Sequence, residues 1–205
     1  MLANTRVHIS KGNGPNLVLF WEDDSPFSNF NPANFQVRDH EKLIEFRFSE
    51  QYFMYQKSIF ANDPLSAEKV LKADEPLKMK KIGRALKMSR EDLDRWSTVS
   101  RDVMYRACLE KFFQSEPHRI SLFRTHGMNL VEASPFDKVW GIGLSKDDQR
   151  AENPETWMGT NWLGQVLDRV REELWERNEF RFAQQKFTTF TQTLNICNCH
   201  ANYPQ

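Results

Sequence analysis

The sequence predicts a single, mainly helical α+β domain with a small β-sheet. Three observations carry this expectation. Capped segments with apolar residues at helical spacing recur along the chain, the strand-like runs are few and short, and 205 residues with 40% hydrophobic content can bury one substantial core. Residues 1–16 read as a leader ending near "GNGP", 17–179 as the domain, and 180–205 as a tail.

"NLVLFW" (16–21) is too short for a helix and reads as a buried strand. "EDDSPFSNFNPANFQV" (22–37) is dense in turn formers and reads as a loop with aromatic anchors. In "KLIEFRF" (42–48), Leu43, Glu45 and Arg47 alternate with Ile44, Phe46 and Phe48, a strand pattern that would join "NLVLFW" in a small sheet. Ser49 reads as the N-cap of a helix over 50–60, Asp63-Pro64 opens a second helix to Ala73, and a short third covers 76–86. Ser89 caps a helix in which Trp96, Val99, Val103 and Ala107 recur up to Phe113, and a helix over 117–125 stops at Gly127. "MNLVEAS" and "KVWGIGL" read as short strands flanking a turn at Pro135. Leu163, Val166, Leu167, Val170 and Leu174 then form the stripe of the last long helix. From residue 181 onward there is no acidic residue and no sustained period.

The 28 acidic residues balance 28 basic ones, so long-range steering toward nucleic acid or an anionic membrane is not indicated. The N-terminus lacks the apolar core of a signal peptide, and no run reaches the 18 or so apolar residues that cross a bilayer. Three cysteines, Cys108, Cys197 and Cys199, are an odd number with two in the tail, which favours a reducing, cytoplasmic address over a disulfide scaffold. The five histidines share no metal-type spacing, and "CNCH" (197–200) is an incidental cluster in a terminal tail, so neither metal nor cofactor is expected. No P-loop, dinucleotide fingerprint, nucleophile elbow or HExxH helix occurs.

Three segments place polar groups where the pattern asks for apolar ones. In "SEQYFMYQKSIF" (49–60), Glu50 and Lys57 lie two helical turns apart on one face, roughly 10 Å along the axis. In "LVEASPFDKVWGIGL" (130–144), Glu132 and Asp137 flank a proline turn and Trp140-Gly141 follows. In "WMGTNWLG" (157–164), glycines and Asn161 sit among tryptophans at a helix start. Two carboxylates across a tight turn can be driven apart in pKa, one protonated and one ionised, as acid–base chemistry requires. A lysine among aromatics is desolvated, which favours the neutral, nucleophilic amine. Each group also has a structural reading. Glu50 can complement the helix dipole, Lys57 can extend its amine to water, the two acids can cap or pair, and the tryptophans can be core. "KMKKIGRALKMSR" (78–90) is a basic run that reads as a solvated face, with Arg84 the residue best placed to hold a phosphate.

Taken in order, "SPFSNF" (25–30), "SEQYFMYQKSIF", "IGRAL" (82–86), a Trp96 helix ending in "KFF" (111–113), "LVEASPFDKVWGIGL", and "WMGTNWLG" with its helix to "VREEL" (170–174) resemble the NADAR, or YbiA-like, family. The resemblance spans about residues 17–176 and implies a compact, YbiA-like α+β fold. It also implies an N-glycosidase of the ADP-ribose and riboflavin-intermediate type, acting on a small-molecule or nucleotide substrate, with ADP-ribosylated nucleic acid a further partner and no membrane role. By motif position it makes Lys57, Glu50, Glu132 and Asp137 catalytic candidates. Asn29, Phe30, Arg84, Trp96, Trp140, Gly141 and Asn161 become substrate-binding candidates. No charged motif position is substituted. The expected mechanism has Glu132 or Asp137 protonate the leaving base while Lys57 attacks the anomeric carbon and forms a Schiff base, with Trp140 or Trp96 stacked on the base. The rival reading is a module that binds ADP-ribose without hydrolysing it.

Overall fold

Four consecutive apolar residues at 17–20 leave no face for water, so the strand they form must be covered on both sides. A computed structural model, which describes residues 4–39 and 41–181, shows how. Thr5–His8 (β1) and Leu17–Phe20 (β2) pair antiparallel, and β2 pairs in parallel with Asn129–Glu132, the fifth strand of the chain. Phe35–Asp39 (β3) and Lys42–Phe46 (β4) form a separate antiparallel hairpin, which leaves Asn129–Glu132 as β5. The helices are Ser49–Phe60 (α1), Pro64–Lys72 (α2), Pro76–Ala85 (α3), Arg90–Gln114 (α4), Glu116–Phe123 (α5) and Trp162–Glu176 (α6). The architecture is thus the α+β, mainly helical one expected.

Val18, Phe20 and Leu130 turn one face of the three-stranded sheet toward the main helical core. Leu17, Leu19, Val131 and Ala133 turn the other face onto a smaller core with Ile142, Leu144 and Ala151. In α6 the whole stripe Leu163, Val166, Leu167, Val170 and Leu174 is buried. Ser89 caps α4 in a reciprocal box with Asp92, and Asp63 caps α2 by accepting from the Ser66 N–H at 2.9 Å.

Several expectations change. The stretch read as a leader contributes β1, an edge strand whose Arg6 and His8 side chains meet Glu152. "KLIEFRF" pairs with the end of the aromatic loop, not with "NLVLFW", because only two residues separate β3 from β4 in sequence and the pairing is local. Ser49 is the first residue of α1 rather than its cap. The loop carbonyl of Asn29 takes the Glu50 N–H at 3.2 Å, and the Gln51 side chain takes the Arg47 N–H at 2.8 Å. "KVWGIGL" forms no strand. Its backbone bonds go to the end of the fifth strand (Ile142 N–H to the Glu132 carbonyl, 3.0 Å) and to the α6 approach (Leu163 N–H to the Trp140 carbonyl, 3.0 Å). Residues 182–205, including most of the expected tail and "CNCH", lie outside the described residues. No described helix is long and apolar enough to cross a membrane.

β5 pairs with β2 along one edge, and its other edge meets side chains of the α6 region. The Asn161 amide accepts from the Glu132 N–H at 3.0 Å and donates to the Leu130 carbonyl at 2.9 Å, and Asp168 accepts the Leu130 N–H at 3.1 Å. Gly164 permits this approach, since a Cβ there would meet the Leu130 carbonyl oxygen and the Asn161 amide. Gly164→Ala is therefore expected to destabilise the protein by about 3 kcal/mol, at the upper end for overpacking. That corresponds to a loss of roughly 10 °C in Tm for a chain of this size. Thermal melts of the two proteins check it, and an unchanged Tm would show that α6 can slide along β5.

Candidate active site

Parallel strands end side by side, and their carboxyl ends open a crevice. Here β2 and β5 end at Phe20 and Glu132, which face each other in register. Beyond them lies a cavity of about 710 Å³. Trp21 to Asp24 leave β2 along one wall, and Glu132, Ser134, Phe136 and Asp137 leave β5 along another. Helix α1 contributes Glu50, Phe53 and Met54, and α3 contributes Leu77, Lys80 and Arg84, each set at the spacing of one helix face. Ser28, Asn29 and Phe30 complete the loop side.

That loop is fixed from beneath by an unusual group. Lys111 on α4 is only 1% exposed, and its ammonium donates to the Ser28 carbonyl at 2.9 Å and the Asn31 carbonyl at 3.4 Å. Burial pulls its pKa down to about 8. His118 adds a hydrogen bond to the Asn31 side chain at 2.7 Å.

Burial dominates the carboxyl chemistry. Glu132 is pushed up to about 8 by desolvation and by the negative charge of Asp137, against the opposing charge of Lys80. Glu50, only 5% exposed, is raised to about 7 by desolvation, with Lys80 opposing and Asp137 adding to the effect. Its Oε1 finds no hydrogen-bond partner among the described residues, so a buried polar atom faces the cavity unsatisfied. Asp137 Oδ1 accepts the Val139 and Trp140 N–H groups at 2.9 and 2.8 Å, which holds the turn rigid. Two carboxyl groups raised far above the ordinary carboxylate range, Glu50 to about 7 and Glu132 to about 8, therefore share a chamber with Asp137, Lys80 and Arg84.

The structure brings Glu50, Glu132, Asp137, Asn29, Phe30, Arg84 and Trp140 to this cavity. Four other candidates are placed elsewhere. Lys57 does not line the cavity: desolvation lowers its pKa, and its amine donates to the Gly83 carbonyl at 3.0 Å. Trp96 is core, packed between Phe53 and Phe60 at centroid distances of 5.2 and 5.4 Å. Gly141 serves close packing, since a Cβ would come within 2.9 Å of the Asp137 and Glu132 carbonyl oxygens. Asn161, in the left-handed region at φ 53°, is the brace of β5. Sequence reasoning missed Lys80, Trp21 and Phe136. Lys80 sits one helical turn before Arg84, a signal that was available. Phe136 lies between the two acids already singled out.

The NADAR domain family matches residues 19–175 of the chain. The protein belongs to the NADAR family. It is 53% identical over 188 residues to Protein irg-1 of Caenorhabditis elegans, covering 87% of this chain and 89% of the relative. It is 35% identical over 150 residues to N-glycosidase R617 of Acanthamoeba polyphaga mimivirus, covering 72% and 86%. The solution structure of Escherichia coli YbiA superposes with a TM-score of 0.60 at 26% identity, over 77% of this chain and 84% of that one. Among the described residues of this NADAR chain, no three His, Cys, Asp or Glu side chains converge as metal ligands.

The raised carboxyl of Glu132 makes stability depend on pH with a definite sign. Its proton is held more tightly in the folded protein, at about 8, than at the ordinary 4.5 of the unfolded chain. Its contribution is complete below 4.5 and is lost as pH rises through about 8. Glu132→Gln removes the titration, so Tm is expected to fall less between roughly pH 6 and 9 than in the wild type. Parallel melts at the two pH values check this, and identical slopes would mean that Glu132 is not protonated at neutral pH.

Proposed function

We propose that this protein hydrolyses the N-glycosidic bond between a base and a ribose, in an ADP-ribosylated guanine or in a phosphorylated riboside of the riboflavin-intermediate type. The chain is a hydrolase acting on N-glycosyl compounds, a reading supported by its NADAR membership and by the mimivirus relative named an N-glycosidase. The observation that carries the proposal is the Glu132–Asp137 turn, where a carboxyl protonated up to about pH 8 faces the same cavity as a second carboxyl group.

A departing base needs a proton on its nitrogen, and Glu132 has one to give. Positive charge then grows at the anomeric carbon, and the negative charge of Asp137 stabilises it. Lys80 and Arg84 on α3 supply cations for the phosphate oxygens of the substrate. The proposed nucleophile is Lys57. Its neutral amine attacks the anomeric carbon, the C–N bond to the base breaks, and the sugar ring opens to a Schiff base that water hydrolyses. Desolvation of Lys57 supports a neutral amine. Attack requires that the amine leave the Gly83 carbonyl and turn toward the cavity, a motion its four-carbon stem permits.

The test is to incubate the protein with an ADP-ribosylated guanine nucleotide and, separately, a ribosylaminopyrimidine phosphate, and to follow release of the base. Glu132→Gln is expected to lower kcat by about a hundredfold or more. Borohydride is expected to trap an adduct at Lys57 that Lys57→Met abolishes. An adduct mapped to Lys80 would move the nucleophile to α3, and full turnover by Lys57→Met would remove it from α1.

A further inference from the structure

The exposed apolar residue that stands out in this molecule is Phe136, at 86% of its surface. Single exposed apolar side chains are ordinary on protein surfaces and need no explanation. Phe136 differs in where it stands and in how firmly it is held. It lies in the turn between Glu132 and Asp137, at the cavity rim, with no helix or strand to oblige it to be apolar. The turn beneath it is locked. The Asp137 carboxylate accepts the Val139 and Trp140 N–H groups, and the Gly143 N–H reaches the Asp137 carbonyl at 3.1 Å. Gly141 sits so close under the turn that no side chain fits there. Trp21, at the end of β2, backs the Phe136 ring with centroids 6.0 Å apart and planes inclined by 55°.

We propose that Phe136, backed by Trp21, is the platform on which the planar base of the substrate stacks. This rests on the N-glycosidase reading and assigns to it the subsite for the leaving group. A base cannot slot between the two rings, because a third ring needs about 7 Å, twice the usual contact distance between carbon atoms. It lies instead on the open face of Phe136. Phe136 lines the same cavity as Glu132 and Asp137, so a base held on it belongs to the chamber that carries the acid. Trp140 and Trp96, the platforms expected from sequence, are less available for this role. Trp96 is enclosed by Phe53 and Phe60, and Trp140 is wedged edge-on between Phe53 and Trp162 at 5.3 and 5.7 Å.

Because Phe136 is exposed and contributes little to the core, its variants are expected to fold, and binding can be read apart from turnover. Wild type, Phe136→Leu and Phe136→Tyr are compared in two measurements, calorimetric affinity for guanosine and KM for an ADP-ribosylated guanine nucleotide. Leucine keeps apolar volume without a π-face and is expected to weaken guanosine binding and to raise KM about tenfold. Tyrosine keeps the ring and is expected to restore both to within about twofold of wild type. Wild-type affinity in Phe136→Leu, a tyrosine variant as weak as leucine, or no guanosine binding by wild type would each overturn the platform. Failure of the hydrolase reading is distinct from these: it would appear as no base release by the wild type while the guanosine affinities still rank by the ring at 136.

Discussion

One side-chain amide does the work of a missing strand. Asn161 stands at the start of α6 in a left-handed conformation and presents its carbonyl to the Glu132 N–H and its amino group to the Leu130 carbonyl, as a neighbouring strand would. Asp168, two turns further along α6, completes the edge at Leu130. Buried backbone groups without partners are costly, so this brace lets the edge of β5 that faces away from β2 lie in the interior. Everything at the site follows from that position. Glu132 is the last residue of the braced strand, and its turn carries Ser134, Phe136 and Asp137 into the cavity. The "KVWGIGL" segment then folds back over the same strand end.

Segments whose signals are local are legible in the sequence. Asp63-Pro64 and Ser89 announce α2 and α4 because a cap and a proline act within one helical turn. The α6 stripe is legible because its period is uninterrupted. β1 is not, since "TRVH" is a half-exposed edge strand whose apolar content means little until β2 is beside it. "KVWGIGL" misleads in the opposite direction: its Ile142 and Leu144 enter the smaller core from an irregular loop, which burial alone cannot distinguish from a strand. Among the site residues, Glu50, Glu132 and Asp137 stand out because charges interrupt apolar segments. The aromatic residues do not sort themselves in this way. Trp96 and Trp21 look alike in sequence, yet one is core and the other stands at the rim, and only the packing of α1 and α4 separates them.

The cavity concentrates groups that are awkward to bury. Burial and the charge of Asp137 raise the proton affinity of Glu50 and Glu132, and the cations of α3 limit that effect without cancelling it. Lys111 shows a related arrangement below the loop, a buried ammonium satisfied by carbonyl oxygens of Ser28 and Asn31. Such groups persist where the surrounding structure over-determines them, and a dense aromatic core with helices on several sides does so here.

The parallel pairing of β2 with β5 has a temporal side as well. It joins the beginning of the domain to a strand that emerges only after α5, so it is among the most non-local contacts the chain makes. Such contacts incur loop-closure entropy before they return any stabilisation, and they form late. The helices α1 to α4 can assemble from neighbouring sequence, but the chamber cannot exist until residue 132 has met residue 20. A ribosome-bound chain short of β5 carries the cationic face of α3 without the acid opposite it. Chemistry in the cavity is thereby deferred to the finished molecule.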